Sequence, residues 1–205
     1  MKSEHTITRR YSVGKIIRKT NRGIIVTSLV MLLVVCYLVV LSINQKQALP
    51  DIKNACQTYV EADAAWRVLP ENFINGQTAP TDSEVKKYAD SLESEISPYY
   101  TDNQSILENA VGSVYLNLKL QIMTGRIYTS YANNNIRFGA VTFRDNTATV
   151  DFTTQTVTEY IDIASGSTEP VRESAESTNQ ITLQKEDGKW KIIYASLSVQ
   201  NMGGY

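Results

Sequence analysis

Residues 23–43 read GIIVTSLVMLLVVCYLVVLSI, a run without a single charge. At a helical rise of about 1.5 Å per residue it is about 30 Å long, the thickness of a bilayer's hydrocarbon core. Its polar members are Thr27, Ser28, Tyr37 and Ser42. They do not forbid insertion, because hydroxyls bond back to the helix's own carbonyls. The alternative for an apolar run is a buried core helix, but such helices are seldom so long and so free of charge. The sequence therefore predicts a transmembrane helix over 23–43. It constrains where the chain resides more tightly than what it does.

The total charge of −1 hides an asymmetry. Residues 1–22 carry seven basic side chains against Glu4 alone, a net +6. The rest carries thirteen basic against twenty acidic, a net −7. A basic cluster abutting a span marks the cytoplasmic side, so 1–22 is expected to be a cytoplasmic tail and the C-terminal part to be exported. The same cluster suits anionic lipid. A cleaved signal peptide is the rival reading, but its apolar region is about 7–15 residues long and ends in a small-residue site. SINQKQALP offers no such site, and Val35 before Cys36 is too bulky for lipoprotein processing. The expected location is thus a bacterial cytoplasmic membrane, with an uncleaved anchor. Cys36 lies within the span and Cys56 outside it, so the exported domain has no internal disulfide to form.

The remaining residues, about 160 of them, suffice for one domain with a proper core. Residues 44–49 read as a brief polar linker, and Pro50 suits the first turn of a new helix. Ile52, Cys56, Tyr59, Trp66 and Leu69 form an apolar stripe at three- and four-residue steps. Lys53, Asn54, Gln57, Glu61 and Arg67 fall on the other side. Thr81-Asp82-Ser83-Glu84 is a capping box opening a helix through Val85, Tyr88, Leu92 and Ile96. Asp102 or Asn103 is placed to cap a third helix through Val111. From Val114 to Ile122 apolar residues alternate at strand spacing, although leucine's propensity also allows the helix to run on to Met123. Residues 126–131 and 136–143 read as strands broken at Asn133-Asn134-Asn135. Residues 148–163 make a long alternating strand with Val150, Phe152, Val157 and Ile161 inward, and 171–184 gains strand character late. Asp187-Gly188 turns the chain into a last strand holding Trp190, Ile192 and Tyr194. Residues 201–205 form a loose tail. Helices first, then antiparallel strands, is an α+β order: a transmembrane helix followed by helices packed on a curved sheet.

The hairpins VTFRDNTATVDFTTQT and ITLQKEDGKWKIIYASL, after a helical half, resemble the nuclear-transport-factor-like cone fold, also called SnoaL-like, over residues 50–200. The most specific piece is Asp187-Gly188-Lys189-Trp190-Lys191-Ile192. The resemblance implies a cone-like domain with its tryptophan entering the core. A basic tail, one span and an exported cone domain is also a layout similar to that of the assembly factors of type IV secretion and conjugation channels. This implies a non-catalytic binding and assembly module of a bacterial envelope, whose partners are lipid and other envelope or secretion-channel proteins. Self-association through the span is an open alternative, with Gly23-x-x-x-Thr27 as the one small-residue pair.

Chemistry is restricted by the residue inventory. The only histidine is His5, in the tail. The domain therefore lacks a Ser-His-Asp or Cys-His pair and a histidine metal site, and no phosphate-binding glycine loop is present, so no cofactor or metal is expected. Its acidity argues against nucleic acid as a partner. Cone-fold isomerases of the SnoaL-like kind use an aspartate base with a tyrosine donor. Asp63, the odd charge among Ala62, Ala64, Ala65 and Trp66, is the one catalytic candidate; the alternative is that it is solvated or paired. An exported small-ligand sensor is the third function class, distinguished by an open pocket without a poised carboxylate.

Overall fold

The computed structural model describes residues 22–74, 80–166 and 169–197. The expected tail over 1–22 and the C-terminal segment 201–205 lie outside them, Arg22 excepted. The chain divides into two compact units, residues 1–47 and 48–205.

In the first unit the described residues are helical throughout. They belong to α1, Arg22–Trp66, the one helix among the described residues long and apolar enough to cross a membrane. None of its most apolar stretch is buried in the protein. The expected linker at 44–49 is a correction: α1 continues through it, and Pro50 lies inside the helix rather than opening one. Proline forfeits one amide bond, but an existing helix propagates at little cost through Gln45, Lys46, Gln47 and Ala48, which are fair helix formers.

The second unit is α+β, with helices first and a four-stranded antiparallel sheet after them. Short helices α2, Glu71–Ile74, and α3, Asp82–Ser91, follow α1. The capping box forms as expected: Thr81 N–H donates to Glu84 Oε2 at 2.8 Å, and the Glu84 amide donates to the threonine hydroxyl. After α4, Glu93–Ile96, and a 3-10 turn over Ser97–Tyr99 comes α5, Gln104–Thr124. Asn103 caps α5 through its Oδ1, and Gly125 ends it in the left-handed region at φ 70°. A Cβ at Gly125 would stand 2.8 Å from that of Ala164, so glycine is needed there for space as well as conformation. The segment 114–122, open between strand and helix in the sequence, is therefore helical. Leucine at alternate positions satisfied both periods. Only Val114 and Leu118 of that set are buried, whereas Leu116 is 63 % exposed.

The sheet is a meander, β1 Arg126–Arg144, β2 Thr147–Asp162, β3 Pro170–Glu186 and β4 Lys189–Ser196, each strand pairing with the next. The expected break at Asn133-Asn134-Asn135 is a bulge within a continuous β1, with Asn135 at φ 51°. Register shifts also lie between Tyr128 and Ser130 and between Phe138 and Val141. Bulges of this kind bend a strand and so curve the sheet. Asp187 and Gly188 both take positive φ, as a two-residue hairpin turn requires. Strand β3 begins at Pro170, well before its core residues Ile181 and Leu183, because β2 offers it an unbroken ladder.

On β2 the even positions face inward, so Val157 and Ile161 are corrected to half-buried. Ala148, Val150 and Phe152 join the core with Ile181, Leu183 and Ile192. Helices supply the opposite wall through Ile52, Cys56, Val85, Ile96 and Leu118. Trp190 packs against this core half-buried instead of entering it. Farther along β2 the inward residues are hydroxylic: Thr154, Thr156 and Thr158 are buried, and Thr154 Oγ1 accepts from Asn179 at 3.0 Å.

Burial pushes the Cys56 thiol from 9.0 up to about 12. In a Cys36→Ser background at pH 9.0, the ordinary ionisation point of a thiol, iodoacetamide is expected to leave native Cys56 unmodified and to alkylate it fully in denaturant. The unfolded thiol ionises first, so this group's contribution to stability is complete below that pH. It is lost as pH rises toward about 12.

Candidate functional site

A buried ion pair straddles the C-terminal end of α1, with Asp63 in the helix and Arg67 in the turn that follows it. Asp63 and Arg67 are 6 % and 5 % exposed, one helical turn apart, and Arg67 Nε donates to Asp63 Oδ2 at 2.5 Å. Spacing of four residues places both on one helix face. The guanidinium lies over the Tyr131 ring from β1, 5.1 Å from its centroid. Burial disfavours the charged arginine, but the charge and hydrogen bond of Asp63, together with the nearby Tyr131 and Tyr59, outweigh this and raise its pKa.

Two tyrosines meet beside the pair. The Tyr59 and Tyr100 hydroxyls are 2.7 Å apart, and their rings cross edge to face at 5.7 Å. Trp66 packs edge-on against Tyr59 and Tyr99. Burial, then the Asp63 charge, raises the Tyr59 pKa well above its ordinary value, and burial lifts Tyr100 to about 12. Both phenols are protonated at neutral pH and serve as hydrogen-bond donors rather than bases.

Gln121 of α5 fixes this corner. Its Nε2 donates to the Arg67 carbonyl at 2.8 Å and its Oε1 accepts from the Tyr128 amide at 3.0 Å, so one side chain joins the turn after α1, α5 and β1. A second aromatic group, Tyr128, Tyr131 and Tyr160, meets the guanidinium through Tyr131. Tyr160 there donates to Glu173 at 2.7 Å, with Arg126 over its ring.

Asp63, Arg67, Tyr59 and Tyr100 line a cavity of about 330 Å³ between α1, α5 and the end of β4. Exposed Ser113, Leu116 and Ser196 also line it and give it a mouth to solvent. Asp63, the catalytic candidate from the sequence, is thus buried and paired. Its Oδ2 is held by a guanidinium, an arrangement that keeps a carboxylate engaged. The sequence placed Arg67 on the polar side of the helix and so missed the partner. The i,i+4 spacing of Asp63 and Arg67 was the signal that would have found it. Tyr59 and Tyr100 were not distinguishable among twelve tyrosines. Among the described residues no three His, Cys, Asp or Glu side chains come together in a way that holds a metal ion.

No family model matches the chain, and no curated protein matches it. Among solved structures, the intermembrane space region of the chloroplast protein ARC6 is similar over 58 % of this chain and 97 % of that one, at 14 % identity and a TM-score of 0.35. What this chain displays of itself is an apolar helix of membrane-spanning length leading into an α+β domain.

Proposed function

We propose that the chain is a single-pass protein of a bacterial cytoplasmic membrane that presents its cone-like domain outside the cell as a non-catalytic binding and assembly module. One observation carries the reading: the apolar stretch of α1 is not buried anywhere in the protein, so its side chains require another apolar medium. The basic residues of 1–22 orient the span with the tail inside. Engagement of Asp63 by Arg67 favours a module over an enzyme. The layout resembles assembly factors of type IV secretion and conjugation channels, and this supports envelope or secretion-channel proteins as the partner class. Confinement to the membrane raises the effective concentration of such a partner.

The test is topology followed by proximity. In spheroplasts, protease added outside is expected to remove an epitope placed after Tyr205 and to spare one placed before Met1. A photo-crosslinker at exposed Tyr194 is then expected to mark an envelope protein. A protected C-terminal epitope, or protein released into the medium, overturns the reading.

A further inference from the structure

Buried charges are normally engaged on every side, because a desolvated polar atom without a partner is costly. The Asp63–Arg67 pair meets this rule with one mutual hydrogen bond and an open side toward a cavity. Arg67 Nε is bonded to Asp63 Oδ2, and the guanidinium face rests on Tyr131. Arg67 Nη1 and Nη2 and Asp63 Oδ1 take no part in that bond, and they are not sealed away without a partner, a state that among the described residues belongs to Thr101 Oγ1, so they meet solvent at the cavity that both residues line. Both line the cavity of about 330 Å³. That volume lies at the lower end of small-molecule sites, which run from roughly 300 to 1,000 Å³.

The open atoms specify what enters. Two terminal guanidinium nitrogens present a fork to a carboxylate. The free carboxylate oxygen next to it accepts from an ammonium. A simple anion meets the repulsion of Asp63, and a simple cation meets that of Arg67. A molecule bearing both charges on one carbon meets an opposite charge at each end and adds no net charge to a buried site. The inner walls add aromatic and aliphatic side chains, Tyr59, Trp66, Ile96 and Val114, while Ser113, Asn117 and Ser196 are polar members of the lining. We propose that this cavity binds a free α-amino acid with an apolar side chain, its carboxylate on the Arg67 fork and its ammonium on Asp63. A tethered module can assemble with this cavity empty, so the site is independent of the anchoring described above.

Titration of the full chain in detergent micelles with L-phenylalanine and L-leucine tests this by calorimetry. At least one of the two is expected to bind saturably, one molecule per chain. Phenylacetate and phenethylamine, which keep the ring and a single charge, are expected to bind at least about tenfold more weakly, as loss of a charge-assisted hydrogen bond implies. Ser113→Trp fills the mouth from an exposed position and is expected to remove binding without lowering the melting temperature. The double variant D63N/R67Q keeps the volume, deletes both charges, and is expected to lose binding as well. No saturable heat with either amino acid, equal binding of a single-charge analogue, or binding that survives Ser113→Trp overturns the proposal. The protease assay reads topology alone, so a failure here leaves it unaffected.

Discussion

Arg67→Leu is expected to destabilise the domain by about 3–5 kcal/mol, the cost of leaving one member of a buried pair without its counter-charge. The number follows from position. Asp63 is 6 % exposed, so only water in the cavity it lines can stand in for the lost guanidinium, and only in part. The backbone bond from Gln121 to the Arg67 carbonyl survives, so the effect isolates the side chain. The informative comparison is D63L/R67M, which removes both charges at similar volume. It is expected to recover most of the loss, since two well-packed apolar side chains replace a buried pair at little or no cost. Chemical denaturation of the full chain in detergent, followed by tryptophan fluorescence, measures both; Trp66 reports from within the affected corner. A single variant no less stable than the parent would mean that Asp63 is solvated after all. A double variant as damaged as the single one would mean that packing of the arginine stem, not charge, stabilises this corner.

The second large effect lies in the span. Val34→Arg with Leu38→Arg places two guanidiniums one turn apart in the stretch that no part of the protein covers. Each costs about 2.5–3.5 kcal/mol at the centre of a membrane helix, so the pair costs about 5–7 kcal/mol. Stable insertion of one helix does not survive that. Fractionation with a carbonate wash is expected to move the doubly substituted chain out of the membrane pellet, whereas Val34→Ala with Leu38→Ala stays in it. Retention of the arginine variant would show that something other than this helix holds the chain at the membrane.

Both expectations rest on features of unequal legibility. The long apolar helix was written in composition alone, as were the capping box at Thr81 and the Asp187-Gly188 turn, because each depends on residues adjacent in sequence. The helix–strand choice at 114–122 was not legible. Leucines at every second position fit either period, and the decision was made by Asn103 and Gly125 at the ends and by which leucines the sheet covers. The linker at 44–49 failed for a related reason. Polar residues and a proline mark the end of an isolated helix, but here they meet one already nucleated on both sides. At the site, Asp63 stood out because alanines surround it. Arg67 did not, since a helical arginine is ordinarily a solvated one, and only the approach of Tyr131 from β1 and Gln121 from α5 encloses it. Tyr100 lies forty-one residues from Tyr59, and no local pattern brings such a pair together.

The meander order has a consequence for how the domain comes to be built. Every strand pairs with its immediate successor, so the sheet requires no crossover and can zip from one hairpin to the next as chain becomes available. Short-range closure of this kind carries a small loop entropy and favours rapid folding. The exception is the seam where the Thr101 amide donates to the Ile192 carbonyl at 3.2 Å, joining the helical layer to the last strand. That contact spans most of the domain's length, and its closure is expected to be the late, rate-setting event. Substitutions along β4 should therefore slow refolding more than equally destabilising ones in the β1–β2 hairpin.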